Sequence, residues 1–191
     1  MFTLSLNKIK GYDTCPDGPA IFRWFDEKYD RDEEIPIMEL FKQWGPIHTF
    51  FCLRAVDGGP EFCAKLTDQC VERMISKYFS DSDMINRYYW ACNLMLTNLK
   101  KVDKAYCRQI AHEIEKEIAP TFKNKKQRLA ALSVARFACG LYTLNGSGPT
   151  SVGYFMGAAE DAMNAADDPI EEGIWQENLL RTKLQENMNE E

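Results

Sequence analysis

Residues 129–144, LAALSVARFACGLYTL, decide the fold: apolar or small side chains fall on nearly every side of a 3.6-residue helix, and Arg136 is the only charge. A helix of that kind belongs in the middle of a fold, with neighbours on several sides. Residues 84–99, MINRYYWACNLMLTNL, read the same way, with Met84, Ile85, Tyr88, Tyr89, Trp90, Cys92, Leu94, Met95, Leu96 and Leu99 spread around the axis. The two stretches predict a multi-helix bundle in which two central apolar helices are wrapped by amphipathic ones. The segment between them is one-sided, gathering Tyr106, Cys107, Ile110, Ile114 and Ile118 on one face.

Boundary residues repeat the same order of cap, apolar period and breaker along the chain. Gly59-Pro60 opens a helix to about Phe79, Asp81 one to about Leu99, and Asp103 one that stops before Pro120. Thr121 opens a helix ending near Asn145-Gly146. After the linker Gly146-Ser147-Gly148-Pro149, Thr150 or Ser151 caps the next. Asp168-Pro169-Ile170-Glu171 starts the last with an acidic variant of a capping box. Before Gly59 the expected helices are shorter, over 3–10, 16–29, 36–44 and 47–56, and no alternating strand of useful length is expected anywhere. The 191 residues therefore read as one all-α domain, 1–191; a division into 1–57 and 58–191 is the one that the helix lengths suggest.

Charge is segregated. Lys100–Arg128 carries nine Lys/Arg against four Asp/Glu, whereas Glu160–Glu191 carries two against ten, within a net charge of −6. Projected at 100° per residue, the last helix puts Ile170, Ile174, Leu180, Leu184 and Met188 on one side. Trp175 and Leu179 fall on the other, among Asp168, Glu171, Glu172 and Glu186. An aromatic anchor ringed by carboxylates suits a basic partner; the competing reading packs Trp175 on a neighbouring helix. The tail is not a duplex mimic, because about 30 Å of DNA presents roughly 17 charges and the tail offers about half as many. The basic segment suits nucleic acid, but it equally suits helix C-termini, and the acidic balance makes direct nucleic-acid binding the weaker expectation.

Chemistry assembles nowhere along the chain. The seven cysteines stand at 15, 52, 63, 70, 92, 107 and 139 without a CxxC, which reads as reduced thiols. His112-Glu113 lacks the second histidine of HExxH, and His48 with Cys52 lacks a third group to orient the imidazole. The loop Asn145-Gly146-Ser147-Gly148-Pro149-Thr150 lacks the lysine of a P-loop. Asp30-Arg31-Asp32-Glu33-Glu34 lacks the glycine of a calcium loop, and no Glu-x-x-His occurs for a di-metal bundle. No catalytic, cofactor or metal residues are expected. No leader or spanning segment is read either, which leads to the expectation of a cytoplasmic protein.

Leu6, then Cys15-Pro16-Asp17-Gly18, then Phe22-Arg23-Trp24-Phe25 resembles the opening of small helical proteins encoded by phages and prophages, in which a Cys-x-x-Gly step leads into a Trp-Phe pair. Pro19 departs from that pattern. The resemblance covers about the first quarter of the chain and implies a genomic setting and a helical start, with no catalytic residues. It leads to the expectation of a non-enzymatic phage or mobile-element protein that binds and inhibits a host nucleic-acid-handling defence complex of the CRISPR kind through an acidic surface. The contact residues would be Trp175, Leu179, Glu171, Glu172, Glu186 and Asp168. Two alternatives stay open: a self-associating homo-oligomeric module joining the basic segment of one copy to the acidic tail of another, or a metal-dependent enzyme whose carboxylates come from distant parts of the sequence.

Overall fold

A computed structural model describes residues 1–10, 18–144 and 148–189, so Cys15-Pro16-Asp17 and Asn145-Gly146-Ser147 lie outside the described residues. The described chain is an all-α bundle: α1 (Leu6–Lys10), α2 (Gly18–Lys28), α3 (Ile37–Cys52), α4 (Gly59–Tyr78), α5 (Met84–Leu96), α6 (Lys104–Glu113), α7 (Lys125–Leu144), α8 (Gly148–Ala165) and α9 (Pro169–Asn189). The only strands among the described residues are β1 (Thr3–Leu4) and β2 (Ile35–Pro36), paired antiparallel with Thr3 opposite Pro36 and Leu4 opposite Ile35.

Gly59-Pro60 opens α4 as expected and the expected caps hold at α6 and α9, whereas α5 is capped at Asp83 instead of Asp81 and other starts move too. Asp103 Oδ1 accepts the Tyr106 amide at 3.0 Å, and Asp168 Oδ1 accepts the Ile170 and Glu171 amides at 2.9 and 3.1 Å. At α7 the cap is Asn124, whose Oδ1 accepts the Lys126 amide at 2.8 Å; Thr121 instead turns its hydroxyl back to the Ile118 carbonyl. α8 opens at Gly148, before Thr150 and Ser151. The two short helices expected on either side of Gly45 abut within Ile37–Cys52 and are separated by a break, because Gly45 leaves helical geometry at φ 77°, ψ −174° and Pro46 follows it directly.

α7 is the centre. Ala130, Ala131, Val134, Ala135, Phe137, Ala138 and Leu141 are buried on it, and it packs on α4, α6 and α8. Small residues let α7 and α8 approach closely: Ala158, Ala162 and Ala165 are buried on α8, and a Cβ added at Gly140 would stand 2.2 Å from the Phe155 ring.

α5 is apolar all round for a different reason. It is tied to the bundle by one face, where Tyr89 Oη and Asn93 Nδ2 donate to the Asp68 carboxylate on α4 at 3.0 and 2.9 Å, and Tyr88 Oη donates to Glu113. Its opposite face is open to solvent, with Trp90 51% and Leu94 71% exposed.

The described residues among the first fifty pack onto the rest. The Phe2 amide donates to Asn187 Oδ1 on α9 at 2.8 Å, and the Phe2 ring meets Phe62 of α4 edge-on at 5.1 Å. The acidic run 30–34 holds the N-terminal segment: Asp32 accepts from Asn7 and Glu34 from Lys8, each at 2.6 Å. Trp24 and Phe25 are buried as the inner side of α2, in a knot of aromatic rings with Tyr29 and Trp44.

Candidate interaction surfaces

α9 presents both an inward and an outward apolar pair, and ion pairing decides between them. Glu172 is only 3% exposed, with Oε2 3.0 Å from Arg73 Nε of α4, and the same guanidinium lies over the Trp175 ring at 4.5 Å. Gln176 Nε2 donates to the Ala159 carbonyl of α8 at 3.2 Å, and Leu180 and Leu184 are buried one and two turns further on. A buried carboxylate needs a partner, so Arg73 locks this face of the helix inward.

The six residues expected to form one contact face are thus divided. Glu172 is buried in its ion pair, Trp175 is half-buried beneath Arg73, and Leu179 is half-buried against the core. Asp168 and Glu171 are exposed at the first turn, and Glu186 is exposed and bridged to Lys183 at 2.7 Å. Of the five apolar residues projected onto the other side, Leu180 and Leu184 are buried, whereas Ile170 is 77% and Ile174 57% exposed, and Met188 is exposed too. The outward anchors on α9 are therefore Ile170 and Ile174, beside Asp168 and Glu171. Trp175 thus follows the competing reading, packed beneath Arg73 of a neighbouring helix; α9 carries apolar residues on two faces, and the choice between them rests on Arg73, far away in sequence.

The α5 face was missed as well. Met84, Trp90 and Leu94 are exposed together with Arg87. That arginine is the only charge in 84–96, and the side it occupies is the signal that would have marked the solvent face.

Part of the segregated charge is used internally. Asp167 accepts from Lys126 at 2.8 Å and Lys77 at 2.7 Å, and these bonds hold its carboxyl down at about 2. Arg108 lies over the Tyr142 ring at 4.7 Å. Lys101, Lys104, Lys123, Lys125 and Arg128 remain exposed.

The titratable groups inside the bundle are dispersed. Burial raises the Asp68 carboxyl against the hydrogen bonds of Asn93 and Tyr89. Burial pushes Asp161 to about 6, although Arg136 Nε stands 2.9 Å from its Oδ2, an approach too poorly aligned to count as a hydrogen bond. Burial also raises the thiols, Cys70 and Cys107 to about 12 and Cys139 to about 11, which suppresses the nucleophilic thiolate. Among the described residues no group of three His, Cys, Asp or Glu could hold a metal ion. An open depression of about 650 Å³ lies between α3 and α9, lined by Met38, Phe41, Lys42, Glu177, Arg181 and Met188 among others, with Arg181 over the Phe41 ring at 5.4 Å.

No protein-family model matches the chain, and neither curated proteins nor solved structures give a match. No helix among the described residues is long and apolar enough to cross a membrane.

Proposed function

We propose that this chain is a non-enzymatic interaction protein that uses the outward face of α9 to engage a basic protein or nucleoprotein surface. The observation that supports it is the pairing of two exposed isoleucines, Ile170 and Ile174, with the exposed carboxylates of Asp168 and Glu171 on the first two turns of one helix. Exposed apolar anchors beside like-signed charges supply both parts of recognition: burial gives affinity, and charge gives orientation and association rate. The N-terminal resemblance to phage and prophage proteins makes a host nucleic-acid-handling defence complex, such as a CRISPR effector, the class of target, with inhibition by occupation of an Arg/Lys-lined groove. Within this reading Asp168, Glu171 and Glu186 keep the contact role expected of them. Ile170 and Ile174 take the part first given to Trp175 and Leu179, and Glu172 acts indirectly by seating the helix.

A photo-activatable cross-linker placed at residue 174 tests this in host cells. The expected product is a nuclease-resistant adduct with a basic protein, weakened by Glu171→Lys. Equal adducts from a cross-linker at Lys123, or no response to the charge reversal, would remove this face from the function.

A further inference from the structure

α9 is held differently from the centre of the bundle. Of its 21 residues only Glu172, Leu180 and Leu184 are buried, against ten of the 20 residues of α7. One of those three is a carboxylate, whose burial must be offset by Arg73 before it stabilises anything. The other attachments are separate points: Arg73 of α4 over Trp175, Gln176 on the Ala159 carbonyl of α8, Arg181 over the Phe41 ring of α3, and Asn187 on the Phe2 amide. Around Met38 and Met188 the open depression of about 650 Å³ lies between α9 and α3, so little apolar contact is lost there when the helices part.

The start of α9, by contrast, is fixed. Residues 166–168 bend the chain out of α8. Asp167 is bonded there to Lys77 of α4 and Lys126 of α7, at 2.7 and 2.8 Å, and Asp168 caps the helix that follows. A helix with an anchored start and sparse seats beyond it opens more readily than the core, because opening exposes little apolar surface.

We infer that α9 is a releasable helix, which undocks as a unit from α3, α4 and α8 about the Asp167 anchor while the other helices stay folded. This rests on the reading of α9 as the contact helix and adds a regulation to it. The docked form dominates at equilibrium and offers a partner only the Ile170–Ile174 side. The undocked form offers Glu172, Trp175 and Leu179 as well, so a partner that holds both sides draws the helix out of its seat. Arg73 is the latch. It holds Glu172 and Trp175 together, its side chain is 47% exposed, and a cation of a basic partner can take its place on Glu172 without leaving the carboxylate unpaired.

Hydrogen exchange of the full chain read by mass spectrometry, without partner and over low urea concentrations, tests this. A free 21-residue helix is marginal in water, so its amides exchange once it is released. Peptides from 172–186 exchange at least about tenfold faster than peptides from 130–141 of α7. Urea hardly changes the α9 rate and steeply raises the α7 rate, because the two openings expose different amounts of surface. Arg73→Met speeds α9 exchange by about thirtyfold. Gly140→Ala, which acts between α7 and α8, speeds α7 exchange by about tenfold and leaves α9 unchanged. Equal rates and equal urea dependence for the two helices in the parent, Gly140→Ala speeding both alike, or an α9 rate that ignores Arg73→Met overturns the inference. Should Gly140→Ala fail to fold, the urea dependence of the parent decides alone. Failure of the functional proposal is distinguishable: it shows as loss of the residue-174 adduct, whereas the exchange rates are read with no partner present.

Discussion

Replacing Arg73 by Met removes the cation between Glu172 and Trp175 while keeping most of its volume. Breaking a buried ion pair from one side costs about 3–5 kcal/mol because the remaining charge stays desolvated. Glu172 is 3% exposed, but the Arg73 side chain is 47% exposed, so solvent screens the pair and about half of that figure applies, near 2 kcal/mol. Loss of the guanidinium from the Trp175 ring adds about 0.5–1 kcal/mol. For a chain of this size each kcal/mol lowers the midpoint by about 2–4 °C, so Arg73→Met should melt roughly 5–10 °C below the parent. Glu172→Gln removes the buried charge and returns Arg73 to solvent, and it should cost about 1 kcal/mol. The double variant should be less destabilised than the sum of the two singles by about 1 kcal/mol or more, measured by urea unfolding of all four chains. An Arg73→Met change within about 0.5 kcal/mol of the parent, or strict additivity in the cycle, would refute the claim that this pair seats α9.

Further expectations concern the core, acid response and thiols. Gly140→Ala drives a methyl into the Phe155 ring and should destabilise by about 1–3 kcal/mol in denaturant unfolding, whereas Gly153→Ala, which meets nothing within 4 Å, should not destabilise. Asp161 titrates higher in the folded chain than in the unfolded one, so the folded state binds the extra proton and stability falls as pH rises from about 4 through about 6; Asp161→Asn should flatten that part of a pH–stability curve. Asp167 has the opposite sign, since its lowered value adds stability above about 4 that is lost as pH falls toward about 2, and Asp167→Asn should blunt acid unfolding. Among the described cysteines, thiol labelling mapped by mass spectrometry should reach the partly exposed Cys139 first and leave Cys63, Cys70, Cys92 and Cys107 unlabelled until unfolding.

The helical class was legible because period and breakers agree along most of the chain, and α7 was legible as the centre because alanines and Gly140 admit close neighbours. The placement of α5 was not, since hydrophobicity alone does not distinguish a buried helix from one with an open apolar face; Arg87 carried that information in a single residue. The caps at Asp103 and Asp168 could be read locally, while Asn124 displaced Thr121 because Pro120 and Thr121 complete the preceding helical turn. On α9 the packing of Trp175 against a neighbouring helix was one of two readings open in the sequence, and the exposure of Ile170 and Ile174 was not read. Two apolar faces compete there, and the decisive Glu172–Arg73 contact is long-range.

Hydroxyl-radical footprinting of the dilute full chain, with each rate normalised to the intrinsic reactivity of its residue type, tests the orientation of α9 on which the functional account rests. Ile170 and Ile174 should label as exposed side chains while Trp175, Leu179, Leu180 and Leu184 are protected. Labelling of Trp175 and Leu179 at exposed rates, with Ile170 and Ile174 protected, would contradict it.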